Sequence, residues 1–234
     1  MQIKAIVFDM DDTLFSEEDY VYSGFKFLGQ WVQEQYGKLG FMEYAWDLFC
    51  LGERRNIFNK TLEKMQIQCD QTLIDRMLSL YRAHVPHICL LPDAEWVLNH
   101  LRDDIKTGLI SDGYFISQKN KVLALELRKW IQAVVLTDEL GRECWKPSPV
   151  PYMKVCQELG VKPEECMYVG DNVTKDFIMA NRLGWTSVHI DRRKGIYSGA
   201  EAGSEYQAHY KINDLRELSR LEVCKHLMVE EAVV

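Results

Sequence analysis

Residues 8–15 read FDMDDTLF, which sets Asp9, Asp11 and Asp12 within four residues, directly after the apolar run IKAIVF. Carboxylates this close repel one another, so the cluster is either an acidic turn lying in water or a site that holds something positive. Three later segments carry residues of complementary kind: Ser111 in GLISDGY, Lys146 in WKPSP, and Asp171 with Asp176 in YVGDNVTKD. Acids, a lysine and a hydroxyl can together bind a cation, move protons and hold an anion, provided the fold brings them to one place. Taken singly each has a plainer reading, with Lys146 as a surface lysine and Ser111 as the cap of the following helix.

The elements that must position them can be read from periodicity. Residues 3–8 form a short β-rich apolar run that stops at acid, as expected for a buried parallel strand delivering its carboxyl end to a site. Val21, Phe25, Leu28, Val32 and Tyr36 then recur at steps of four and three, the apolar face of a helix. Helical patterns continue over 43–50, 53–66 and 70–83, so the chain is all helical to about Leu91. After VPHICLLPDA helices and strands alternate. A helix over 93–102 precedes KTGLI, one near 117–130 precedes QAVVL, PVPYMKVCQELG precedes CMYVG, and KDFIMANRLG precedes TSVHI. Repeated β-α units predict an α/β fold with a Rossmann-like parallel sheet, helices on both faces and ligands at the strands' carboxyl ends. The helical block interrupts this repeat after its first strand. The expected organisation is a core of residues 1–15 and 92–234 with an inserted helical cap over 16–91. Beyond Gly195, GIYSGAEAGSEY reads as a loop, AHYKI as an edge strand, a last helix starts at Asp214, and the closing EEAVV reads as frayed.

Composition limits the function classes. The 234 residues are 47% apolar and 27% charged, ordinary values for a globular protein with a core. A net charge of −7 argues against non-specific nucleic-acid binding and against docking on an anionic membrane. No apolar stretch reaches membrane-span length, and the N-terminal apolar run lacks a secretory cleavage site, so a cytoplasmic protein is expected. The seven cysteines are scattered and never spaced as CxxC, which suits reduced packing residues.

Taken in order, Asp9-Met10-Asp11-Asp12-Thr13, Ser111, Lys146 and Gly170-Asp171 to Asp176 resemble the haloacid dehalogenase superfamily. Its phosphatases show DxDxT, a strand-end Ser or Thr, a Lys and GDxxxxD. The resemblance covers residues 3–15 and about 92–190, and the helical insertion resembles the cap that part of the family carries after its first motif. It implies that Asp9 is a nucleophile that forms an aspartyl-phosphate, that Asp11 is the general acid and base, that Ser111 and nearby backbone N–H groups hold the phosphoryl oxygens, and that Lys146 offsets negative charge on nucleophile and phosphate. It also implies that Mg²⁺ sits on the carboxylates of Asp9 and Asp171 and the backbone carbonyl of Asp11, with Asp176 orienting Lys146 or a metal-bound water. Such a set answers a physical problem, because a phosphate monoester repels an anionic nucleophile until its charge is offset. The family's dehalogenases lack the second aspartate of the first motif, so Asp11 points to phosphate ester chemistry. Asp112 stands where many relatives carry Asn, and its carboxylate is expected to turn away from phosphate and cap the next helix.

The expected activity is hydrolysis of a small phosphorylated metabolite, a nucleoside monophosphate or sugar phosphate, under a cap that closes over it. A sugar phosphomutase and a catalytically idle binding protein are the alternative readings. In the cap, Arg54, Arg55, Tyr20, Lys26 and Trp46 are candidate substrate contacts. His84 and His87 read as structural, and Trp31, Trp46, Trp96 and Trp130 read as core residues.

Overall fold

In the computed structural model, residues 2–192, 195 and 202–229 are described. The strand β1 (Ala5–Phe8) is entirely buried and pairs in parallel on both sides, with β2 (Lys106–Ser111) and with β4 (Cys166–Gly170). On one flank β2 pairs with β3 (Ala133–Leu136), and on the other β4 pairs with β5 (Thr186–Ile190) and β5 with β6 (Tyr210–Ile212). Among the described residues this gives one parallel sheet of order β3-β2-β1-β4-β5-β6. The chain reverses its direction of travel across the sheet between β1 and β4, which opens a crevice at the carboxyl ends of those two strands.

Both faces of the sheet are covered, which is why its strands read as continuous apolar runs. Ala5 and Val7 join Ile110, Val135, Tyr168 and Trp185 in one cluster, closed over by Tyr152 and Val155 of α7 (Pro149–Leu159) and Phe177 of α8 (Phe177–Arg182). Ile6 and Phe8 alternate with them and are equally buried. Two further helices flank the strands, α5 (Pro92–His100) and α6 (Phe115–Ala124).

The chain divides into two compact units, Met1–Glu17 with Cys89–Val234, and Glu18–Ile88. The second is helical throughout its regular structure: α1 (Glu17–Tyr36, whose first residue belongs to the core unit), α2 (Phe41–Cys50), α3 (Ile57–Lys64) and α4 (Gln71–Ala83). Its interior is aromatic, with the ring of Phe25 lying 6.3, 6.2 and 6.1 Å from those of Phe49, Phe58 and Tyr81. Asp70 caps α4 by accepting from the Leu73 N–H at 2.8 Å.

Several elements differ from expectation. The helix expected to reach residue 130 ends at Ala124, where Glu126 turns left-handed at φ 51° and a short 3-10 turn over Leu127–Lys129 follows. The helix expected from Asp214 is a 3-10 run over Leu215–Arg220, capped by Asp214 and stopped by the extended Leu221. Trp31, Trp46 and Trp96 are half-buried within helices and Trp130 at the end of a 3-10 turn, and the tryptophan that fills the core is Trp185. All seven cysteines are free thiols, but only Cys156, Cys166 and Cys224 are buried, while Cys50 and Cys89 are exposed. Within the loop expected over 195–206, residues 196–201 lie outside the described residues, as does the tail 230–234. No helix among the described residues is long and apolar enough to cross a membrane.

Candidate active site

Asp9 follows β1 directly, and its N–H donates to the Val169 carbonyl of β4 at 2.8 Å. Strand pairing therefore fixes its backbone beside the segment that carries Asp171. The Lys146 ammonium, with its side chain wholly buried, donates to Asp9 Oδ1 at 2.5 Å and to the Tyr168 hydroxyl at 2.9 Å. It also sits 2.8 Å from Asp176 Oδ1, an ion pair set off the line of a hydrogen bond. Burial by itself would lower the lysine pKa, but Asp176 and Asp9 hold it well above its ordinary value, so Lys146 is a fixed cation. Burial has the reverse effect on Asp9, which is pushed up to about 7 despite the opposing pull of Lys146.

The loop after β4 is built around Asp176. Its Oδ2 accepts from the Asn172 N–H at 2.9 Å, and a Cβ at position 170 would lie 2.5 Å from that same oxygen. Only glycine leaves room there, which is the physical content of the Gly-Asp pair at 170 and 171. Ligand oxygens of Asp9, Asp171 and Asp176 all lie within 4.8 Å of one another, and the three residues are buried. Burial, and then the nearby Asp9, push Asp171 well above its ordinary pKa. A cavity of about 170 Å³ opens here, lined by five carboxylates, those of Asp9, Asp11, Glu17, Asp112 and Asp171, with Lys175 among them. This donor set is all hard oxygen and offers five carboxyl groups beside one lysine, so it fits a hard divalent cation.

On the β2 side, Ser111 is wholly buried and its Oγ accepts from Gln118 Nε2 at 2.8 Å. The same amide donates to Asp11 Oδ2 at 2.7 Å, while Lys121 donates to Asp11 Oδ1 at 2.6 Å. Both Gln118 and Lys121 come from α6, one turn apart, and both are buried. Thr13, at the end of the first motif, is buried, and its backbone carbonyl accepts from Arg192 at 2.7 Å.

Asp112 departs from expectation. It does not cap α6, because the Phe115 N–H donates instead to Asp138 Oδ2 at 2.9 Å. Its Oδ1 accepts from Thr137 Oγ1 and the Lys146 N–H, and its Oδ2 from Lys175 at 3.1 Å. Burial would raise this carboxyl, yet Lys146 and Lys175 hold it below its ordinary value, so it stays ionised and Lys175 offsets it. Glu17 was missed in the sequence, as were Lys175, Gln118 and Lys121. Glu17 lines the cavity, and burial, then the repulsion of Asp11, push it up to about 7 against the pull of Lys121. The available signals were weak: Lys175 stands between two motif aspartates, and Gln118 and Lys121 are two polar residues at helical spacing.

The helical-unit candidates resolve within that unit. Tyr20 is buried, with its hydroxyl 3.5 Å from the Tyr81 carbonyl. Arg54 donates to the Phe49 and Glu53 carbonyls and covers the Phe49 ring at 4.0 Å. Trp46 stacks on Phe49 at 5.4 Å. Arg55 and Lys26 are exposed. His84 is buried with Nδ1 2.6 Å from the Tyr81 carbonyl, in keeping with a structural role.

The haloacid dehalogenase-like hydrolase family matches residues 3–184, and the chain belongs to it. A glyceraldehyde 3-phosphate phosphatase of Methanopyrus kandleri is 36% identical over 138 residues, which span 58% of this chain and 57% of that protein. The protein of the same name from Methanocaldococcus jannaschii is 27% identical over an alignment covering 96% of this chain and 98% of the relative. Among solved structures, a 2-haloacid dehalogenase from Pseudomonas syringae superposes with a TM-score of 0.64 at 22% identity, covering 94% of this chain and 97% of that one. That likeness concerns the fold.

Proposed function

We propose that this chain is a phosphoric monoester hydrolase that removes phosphate from a small phosphorylated metabolite through an aspartyl-phosphate on Asp9. The observation that carries this reading is the buried pairing of Asp9 with Lys146 at the switch point of the sheet, with Asp171 close to it at the end of the neighbouring strand β4. A lysine whose charge Asp176 and Asp9 stabilise holds one oxygen of the nucleophile and lowers its repulsion toward phosphate. In the first half, a carboxylate oxygen of Asp9 forms a bond to phosphorus while the ester P–O bond breaks, and Asp11 gives a proton to the departing alkoxide. In the second half, water attacks phosphorus, Asp11 takes its proton, the acyl phosphate bond breaks, and inorganic phosphate leaves. Ser111 holds phosphoryl oxygens in both halves. Asp176 keeps Lys146 in place from behind.

Mg²⁺ is the cation that suits this donor set, held by Asp9, Asp171 and the backbone carbonyl of Asp11. When bound it supplies positive charge beside the phosphoryl oxygens. The curated relatives named above act on a phosphorylated three-carbon sugar, which supports a sugar phosphate over a nucleoside monophosphate as substrate. The test is phosphate release from a panel of triose, pentose and hexose phosphates, nucleoside monophosphates and phospho-acids, with Mg²⁺ and with chelator. Metal-dependent release confined to the sugar phosphates is expected. Release that persists in chelator, or sugar-phosphate isomerisation without release, overturns the reading.

A further inference from the structure

Of the acceptors around the active-site cavity, one has no partner. Asp9, Asp11 and Asp171 are taken by the cation and the phosphoryl chemistry. Asp112 has both oxygens occupied, Oδ1 by the Thr137 hydroxyl and the Lys146 N–H, and Oδ2 by Lys175 at 3.1 Å. Asn172 Oδ1 accepts from the Thr174 N–H at 2.9 Å and from the Thr174 hydroxyl at 2.7 Å. Lys175 is the cation among the described residues that line the cavity, and Asp112 holds it. Glu17 remains. It is the first residue of α1, and its N–H donates to Asp12 Oδ1 at 2.9 Å, which fixes its backbone beside the first motif. Its half-buried carboxyl group lines the cavity and accepts no hydrogen bond from a described residue. Lys121, whose charge attracts it, donates to Asp11.

An acceptor without a donor, in the cavity that holds the reacting ester, is a place for a donor on the substrate. A hydroxyl fits, since a carboxyl oxygen accepts from it whether or not the carboxyl carries its own proton. A second anion does not fit, because the wall meets it with carboxyl groups and one lysine that is already paired. We propose that Glu17 is a specificity-determining residue that accepts a hydrogen bond from a hydroxyl of the leaving group. The preferred substrates are then phosphate monoesters whose leaving group is hydroxylated and uncharged, and phospho-acids are poor ones. This rests on the phosphatase reading given above and narrows its substrate class.

The experiment uses the full chain with Mg²⁺ and four monoesters of one three-carbon skeleton: glycerol 3-phosphate, propyl phosphate, 3-phosphoglycerate and 3-aminopropyl phosphate. Wild-type kcat/KM should be at least about tenfold higher for glycerol 3-phosphate than for propyl phosphate, and at least about tenfold higher than for 3-phosphoglycerate. Glu17→Met keeps the length of the side chain and removes its oxygens. It should reduce the preference for glycerol 3-phosphate over propyl phosphate to within about threefold. A purely structural defect slows both esters alike and leaves their ratio as it was, and that result overturns the proposal. So does a wild type that favours propyl phosphate or 3-phosphoglycerate. A preference for 3-aminopropyl phosphate that Glu17→Met abolishes overturns it too, by making Glu17 the seat of an ammonium. Glu17→Ala, which keeps the backbone N–H to Asp12, carries the test if Glu17→Met fails to fold by circular dichroism. The underlying reading fails on other results: no phosphate released by wild type from any of these esters or from the sugar phosphates, or turnover that persists in Asp9→Asn. If wild type shows the expected preference and both Glu17 variants retain it, the Glu17 proposal alone fails.

Discussion

The two units of this molecule bury opposite kinds of matter. Among the described residues, the core unit buries Asp9, Asp12, Asp93, Lys121, Lys146, Asp171 and Asp176, whereas the polar residues buried in the helical unit are Ser23, Thr61 and His84. The helical unit is held by edge-to-face and tilted aromatic contacts around Phe25 and Tyr81, each worth about 0.5–1.5 kcal/mol beyond area burial. In the core unit, apolar packing behind the sheet bears the cost of desolvating charges at its carboxyl edge. Removing one partner of such a buried pair costs about 3–5 kcal/mol, because the other is left uncompensated. The contrast teaches where chemistry can reside: a fold tolerates clustered buried charge where strand pairing has already fixed the backbone.

Breaking this contrast calls first for Asp9→Asn. It should lower phosphate release by at least about 10⁴-fold while the melting temperature changes little, since Lys146 keeps Asp176 as its partner. Appreciable turnover in that variant would remove Asp9 as nucleophile. Next in size is Phe25→Ala in the helical unit. The loss of a large core ring should cost about 3–5 kcal/mol, lowering the melting temperature by roughly 10 °C. Calorimetric Mg²⁺ binding, measured well below the melt, should be untouched; weakened binding would show that the two units do not divide the labour as described.

A further effect concerns pH. Asp9 and Glu17 are pushed up to about 7 from ordinary values of 3.8 and 4.5, chiefly by burial. Between about pH 4 and 7 the folded protein therefore binds more protons than the unfolded chain, so these groups make the metal-free protein less stable as pH rises, by at most about 1.4 kcal/mol per unit per group. Chelated protein should melt lower at pH 7 than at pH 5, and Mg²⁺ should raise the melting temperature more at pH 7, where its carboxylate ligands ionise at less cost. A melting temperature that climbs across that window would contradict the assignment of buried, protonated carboxyls. Smallest is Arg54→Ala, expected to cost no more than about 1 kcal/mol for its exposed contacts over Phe49. A tenfold rise in KM without loss of stability would instead reveal a substrate contact in the helical unit.

Much of the core was legible because its signals are local. An apolar run that stops at Asp9 reports a buried strand and its end, and each α-β alternation after residue 92 reports another, whereas the order in which those strands lie side by side, β3-β2-β1-β4-β5-β6, is not their order along the chain. The helices of the second unit were visible for the same reason, since burial of Val21, Phe25, Leu28 and Val32 follows their helical spacing. Partnerships across long stretches of chain left no such trace. Lys146 meets Asp9 over 137 residues, and Lys121 meets Asp11 over 110. Asp112 was expected to cap a neighbouring helix on local propensity, but tertiary packing brought Lys175 and the Lys146 backbone to it and Asp138 to the helix.

The sequence by itself determined the fold class, the place of the helical insertion in the chain and the motif acids at the strand ends, because hydrophobic periodicity and strand termination are properties of contiguous residues. Which carboxylate is paired, which is ionised and which shares a cavity was decided only by the tertiary structure. Burial and the positions of Lys146, Lys121 and Lys175 set those states, and both depend on elements brought together from distant parts of the chain.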